Sequence, residues 1–142
     1  MSRLLLDTTF LVEADRGGAD LDQLVDDEDD VAVAAITVAE LLVGVLLSDH
    51  RRRPARKAFV DDVVATVPVL DYDLEVAAAH AELLAEVRRQ GRPRGAHDLV
   101  IAATARASGR TVITADDSAF ERLPGVDTQA HRRRYKRRSV PV

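Results

Sequence analysis

Short, unbroken apolar runs alternate along this chain with longer stretches of helical period, and that alternation leaves few folds open. Leu4-Leu5-Leu6, residues 31–35, Val67-Pro68-Val69-Leu70 and Thr111-Val112-Ile113-Thr114 are continuous rather than alternating. A strand of that kind is buried on both faces, as in a parallel sheet. Between the runs the pattern turns helical: residues 8–16, a short amphipathic segment around Leu21, Leu24 and Val25, and residues 37–48 and 55–65. Two longer helices follow, one capped by Asp73 and stopped at Gly91, the next over 96–108 and closed by Gly109. Residues 126–128 form a last strand. Pro68 puts the third strand's start, or the strand itself, at an edge. Strands alternating with helices predict an α/β protein, a three-layer sandwich whose central, mainly parallel, twisted sheet is flanked by helices.

The 142 residues suffice for one domain with a real core and are too few for two. There is no cysteine, which excludes disulfides, zinc–thiolate sites and thiol catalysis. The four histidines are scattered without ligand spacing, no stretch approaches a membrane span, and the first residues lack the features of a signal peptide. A cytoplasmic protein is the expectation. Net charge is −4, but residues 132–138 (RRRYKRR) hold six of the 20 basic residues; the remainder carries 14 basic against 24 acidic, a net of −10. The expected organisation is a domain over residues 1–130 and a basic tail over 131–142. Further basic clusters lie at Arg51, Arg52, Arg53, Arg56 and Lys57, and at Arg88, Arg89, Arg92 and Arg94. Each reads as a solvated face; together they incline toward a polyanionic partner.

Four acids sit where strands end or helices begin: Asp7, Glu40, Asp98 and Asp116. Each has an ordinary explanation. Asp7 suits the N-cap of the next helix. Thr37-x-x-Glu40 has capping-box spacing. Asp98 lies in a first helical turn, where the macrodipole favours an acid. Asp116 suits an Asx-turn, and Asp117 competes with it. The functional reading rests on convergence. Carboxyl ends of parallel strands form the binding crevice of an open α/β sheet. The helix carrying Glu40 is apolar on nearly every side and is expected to be buried, with Gly44 leaving space beside the carboxylate. Asp98 tops a stripe of Ile101, Ala102 and Ala105 rather than a wet face. Gathered carboxylates repel one another unless a cation is bound, and an all-oxygen set suits Mg²⁺ or Mn²⁺ rather than zinc. Metal-assisted phosphodiester hydrolysis is the leading expectation.

Leu6-Asp7-Thr8-Thr9, Thr37-x-x-Glu40-Leu41, Gly95-Ala96-His97-Asp98-Leu99-Val100-Ile101-Ala102-Ala103 and Thr114-Ala115-Asp116 through Phe120 resemble the successive motifs of PIN-domain ribonucleases, above all the VapC-type toxins of toxin–antitoxin pairs. The resemblance covers nearly the whole chain. It implies a PIN-like fold, a Mg²⁺- or Mn²⁺-dependent endoribonuclease acting on RNA, a homodimer, and inhibition by a VapB-type antitoxin whose C-terminal segment lies in the toxin's groove. Asp7, Glu40, Asp98 and Asp116 fall on the acidic quartet that serves as metal ligands and catalytic groups, with Asp117 as substitute or neighbour of the fourth. Thr9 and Thr114 fall on supporting hydroxyl positions. Arg92 and Arg94, just before the Asp98 helix, are RNA-binding candidates, and His97 is expected at the rim or in a structural role. Two other classes compete: a catalytically silent RNA- or partner-binding module, against which all four acids speak, and a phosphatase or receiver domain, which needs a strand-end lysine this chain lacks. Only five aromatics are present, so base stacking on a platform fits poorly.

Overall fold

A computed structural model describes residues 2–18 and 25–130. The elements are β1 (Arg3–Leu6), α1 (Thr8–Arg16), β2 (Asp30–Ala34), α2 (Ala35–Leu47), α3 (Arg53–Thr66), β3 (Val69–Leu70), α4 (Leu74–Gln90), α5 (Ala96–Ser108), β4 (Thr111–Thr114), a 3₁₀ turn (Asp117–Phe120) and β5 (Thr128–Ala130). All pairings are parallel, in the order β3-β2-β1-β4-β5. The helix expected around Leu21 and Leu24, like the basic tail, lies outside the described residues.

The apolar runs are continuous because successive residues enter two different cores. Leu5, Ala32, Ala34 and Val112 face α4 and α5. Leu4, Leu6, Val33 and Ile113 face α1, α2 and α3. The alanines of α5 (Ala102, Ala103 and Ala105, each fully buried) let that helix approach the sheet closely. Asp73 caps α4 by accepting from the Val76 amide at 2.9 Å, and Gly91 ends the helix at φ +64°, a backbone state that glycine adopts without strain.

Three expectations are corrected. β2 and α2 each start earlier than the pattern suggested, so Thr37 is an interior, fully buried helical residue and no capping box forms with Glu40. The helix N-cap is instead Ala34, which makes no side-chain cap bond. α2 is also not buried all round: it buries Thr37, Leu41 and Val45 but leaves Leu46 72% and Leu47 82% exposed. Its composition reflects more than core packing. β5 begins two residues later than expected. Pro68 behaves as anticipated: β3 is an edge strand, and the proline carbonyl accepts from the Val33 amide at 3.0 Å without having to supply a donor.

Candidate functional site

Chain order reverses between β1 and β4, which lie side by side at the middle of the sheet. The crevice of an open parallel sheet sits at such a switch point. Asp7 directly follows β1 and Asp116 follows β4 by two residues, so the topology places them on either side of it. α2 and α5 bring Glu40 and Asp98 to the same end. A cleft of about 350 Å³ is lined by all four, together with Thr9 and Arg16.

Asp7 is only 2% exposed. It is the N-cap of α1 as well as part of the cleft wall: one oxygen accepts from the Phe10 amide at 2.9 Å, and the Thr9 hydroxyl donates to the carboxylate at 2.9 and 3.1 Å. Burial raises its pKa above the usual carboxylate range against the lowering pull of Thr114, Phe10 and Thr9, and the charge of Asp98 adds to the rise. Asp98 is likewise raised, first by burial and then by Glu40 and Asp116, with His97 opposing. The Asp98 carboxylate fits only because residue 95 is glycine: a Cβ there would stand 2.8 Å from Asp98 Oδ2.

Glu40 is held by the Thr8 hydroxyl, which donates to it at 2.8 Å, and lies 3.4 Å from His97 Nδ1. His97 thus sits at the rim, in keeping with its position one residue from Asp98. Asp116 caps the 3₁₀ turn, accepting from the Ser118 amide at 3.2 Å and the Ser118 hydroxyl at 2.5 Å. Asp117 is exposed and does not line the cleft. The strand ends are laced together through Thr9, whose hydroxyl accepts from the Ala115 amide and lies 3.2 Å from the Thr114 hydroxyl; Thr114 in turn accepts from the Asp116 amide at 3.0 Å.

Arg94 does not point its guanidinium at open solvent. It donates to the carbonyls of Ser118, Ala119 and Glu121, stapling the turn that carries Asp116. Arg92 is exposed. Sequence reasoning passed over Arg16 and gave no role to Thr8 or Gly95. The last two stand inside the quoted motifs, whereas nothing local distinguishes Arg16 from other helix-end arginines.

Among the described residues no three acidic or histidine side chains stand close enough, as placed, to grip one ion. The carboxylates ring the cleft instead of touching. The donor set nonetheless fits a hard cation: every group is oxygen, none is paired to an arginine or lysine among the described residues, and burial, followed by the charges of Glu40 and Asp116, raises Asp98. Beside the cleft, and sharing Arg16 and Glu40 with it, runs a groove of about 190 Å³ between α1, α2 and α3, walled by Leu41, Val45, Phe59 and Val60. Gly44 leaves that wall open, with nothing within 4 Å of where a Cβ would be.

The PIN domain family profile matches residues 4–126. The tRNA(fMet)-specific endonuclease VapC of Shigella flexneri is 34% identical over 100 residues, 70% of this chain and 74% of that one. DNA-bound VapBC from Salmonella typhimurium superposes with a TM-score of 0.80 at 27% identity, over 92% of this chain and 98% of that one. VapBC-5 from Mycobacterium tuberculosis, of the VapBC family of toxin–antitoxin systems, does so with a TM-score of 0.75 at 29% identity, over 92% and 100%. Shared fold, shared length and matched motifs lead to one conclusion: this chain belongs to the PIN-domain family and, within it, to the VapC ribonucleases.

Proposed function

We propose that the chain is the toxin of a type II toxin–antitoxin pair, an endoribonuclease that hydrolyses RNA with Mg²⁺, for which Mn²⁺ substitutes, in the cytoplasm, and that residues 1–130 form its nuclease unit. The observation that carries the reading is the single cleft lined by Asp7, Glu40, Asp98 and Asp116. A divalent cation bound there supplies an acidified water and offsets charge on the phosphate. Asp7 and Asp98 are the principal ligands, with Glu40 and Asp116 completing the set; Asp116, which lines the cleft, is preferred to Asp117. Thr9 orients Asp7, Thr114 supports the backbone ahead of Asp116, and Thr8 fixes Glu40. Arg16 and Arg92 are the RNA-contact candidates in the described body, because Arg94 is engaged with the turn.

The groove beside the cleft suits the C-terminal segment of a VapB-type antitoxin. Apolar side chains would lie along Leu41, Val45 and Phe59, and a basic residue would reach Glu40 and its neighbours. The protein is a homodimer, which light scattering of the purified chain tests directly. No helix among the described residues is long and apolar enough to cross a membrane. The central experiment is cleavage of RNA by Asp7→Asn and Asp98→Asn. Each variant loses Mg²⁺-dependent cleavage by at least about 100-fold while staying folded; undiminished, metal-dependent cleavage by either overturns the assignment.

A further inference from the structure

The groove beside the cleft is walled by three helices. α1 brings Asp15 and Arg16 to it, α2 brings Leu41 and Gly44, and α3 brings Arg56 and Phe59. It is continuous with the cleft, because Arg16 and Glu40 line both spaces. From Glu40 to Gly44 is about one turn of α2, so the groove leads onward from the carboxylates by roughly 6 Å along that helix. A volume of about 190 Å³ admits a base from an unpaired strand and not a duplex.

The two spaces differ in charge. The cleft sets Arg16 alone against Asp7, Glu40, Asp98 and Asp116. The groove sets Arg16 and Arg56 against Asp15 and Glu40, and both arginines lie within electrostatic reach of Asp15, whose charge they favour against the effect of burial. Arg56 is half-buried, and its guanidinium stands 3.5 Å from the Gly44 carbonyl, at the limit of a hydrogen bond. Other basic side chains are committed to neighbours: Lys57 pairs with Asp61, Arg89 with Glu86, Arg106 with Glu82 and Arg110 with Asp30. A phosphate backbone leaving the cleft by the groove thus passes Arg16 and then Arg56. Phe59, half-buried, offers its ring in the wall, and the space at Gly44 is open, with nothing within 4 Å of a Cβ position. One ring serves one base, though it makes no stacking platform.

We propose that this groove is a subsite for the single RNA strand as it leaves the cleft, with Arg16 and Arg56 on successive phosphates and a base against Phe59 in the space beside Gly44. RNA and a protein segment then exclude one another from the groove, so an inhibitor seated there displaces substrate without touching the carboxylates. The proposal rests on the ribonuclease reading above and is tested apart from it. Binding of a fluorescein-labelled single-stranded RNA to the full-length protein is followed by anisotropy in EDTA, where no cleavage occurs, from about 50 to about 400 mM salt. Arg56→Gln alters the groove and not the cleft. It should reduce the steepness of log K against log salt by about 0.7, the share of one phosphate, and weaken binding about fivefold at low salt. Arg56→Lys, which keeps the charge, should keep the slope. Gly44→Leu fills the groove from its wall and should weaken binding at least about fivefold by displacing the base. Arg51→Gln removes an exposed arginine that lines neither space and should leave affinity and slope unchanged.

Thermal unfolding equal to wild type shows that a variant is folded; if either Arg56→Gln or Gly44→Leu is not, the other decides. Wild-type RNA affinity and slope in a folded variant of either kind overturn the proposal and reserve the groove for a protein segment. An equal loss of slope in Arg51→Gln also overturns it, because the effect would then be one of overall charge. If the wild type cleaves nothing with Mg²⁺ yet binds RNA in a way that Arg56→Gln and Gly44→Leu weaken, the nuclease reading fails and this proposal stands. If it cleaves and both variants bind RNA as the wild type does, the nuclease reading stands and this proposal fails.

Discussion

Gly95→Ala isolates what a single methyl group does to the cleft. Gly95 precedes α5 at φ −57°, ψ 131°, which alanine adopts without strain, so backbone freedom is not why glycine is there. The reason is contact: the added Cβ would stand 2.8 Å from Asp98 Oδ2 and 3.5 Å from its carboxyl carbon. Carbon and oxygen rest at roughly 3.3 Å or more, so the oxygen must recede by about 0.5 Å. A carboxylate at the end of a rotatable side chain can do so cheaply. Thermal stability should therefore fall by less than about 1 kcal/mol, a change that includes alanine's poorer performance at a helix N-cap. Catalysis is less forgiving, since functional groups must hold position to within about 0.5 Å. Cleavage should fall by about 10- to 100-fold, with a higher Mg²⁺ concentration needed for half-maximal rate. The assay is initial cleavage rate of a labelled RNA against Mg²⁺ concentration, paired with thermal unfolding. A variant with wild-type rate and metal dependence would refute the claim that Asp98's position matters. One that unfolds before losing activity would refute the claim that the clash is absorbed by the side chain.

Asp98→Asn should abolish cleavage without lowering the melting temperature of the metal-free protein at pH 7. Asp98's pKa is raised in the folded state, so folding favours its protonated form; metal-free stability is fullest below the unfolded pKa and declines as pH rises through the folded one. Added Mg²⁺ should raise the wild-type melting temperature at pH 7 more than the variant's, and a clear destabilisation of metal-free Asp98→Asn would contradict the cost of a buried charge facing Glu40 and Asp116. Thr9→Val removes the donor to Asp7 and the acceptor for the Ala115 amide. It should cost about 0.5–1.5 kcal/mol in denaturant unfolding and weaken apparent metal affinity about 10- to 100-fold. Arg94→Gln should cost about 2 kcal/mol and impair cleavage through the Asp116 turn, with Lys a poor substitute because the planar fork reaches several carbonyls at once. RNA affinity measured in EDTA should stay near wild type for Arg94→Gln, whereas a drop as large as that expected for a phosphate-binding arginine would restore Arg94 to the RNA-binding set.

Strand identity, parallel pairing and the placing of acids at strand ends were legible along the chain, because each is a local property of the backbone and its hydrophobic period. Leu4, Leu5 and Leu6 could be consecutive only if both faces of β1 were covered, and Asp73 and Gly91 marked the ends of α4 by their own conformational preferences. The lack of cysteine excluded thiolate chemistry, and the ordered motifs singled out the four acids. What local pattern could not settle depended on residues distant in sequence. Asp116 rather than Asp117 lines the cleft because Thr9 and Thr114, 105 residues apart, pin the start of the turn. Thr37 looked like a cap but became core once β2 ran directly into α2, leaving Glu40 to be held by Thr8 across to α1. The uniformly apolar α2 keeps one face open because its packing against α1, α3 and the sheet covers the opposite one, and composition does not encode which faces find neighbours. Arg94 stood in the sequence as an RNA-binding candidate beside Arg92 until the fold carried three carbonyls to it. Periodicity determines which backbone forms; direction, partnership and exposure belong to side chains meeting across the tertiary structure, and they decided how this cleft is built.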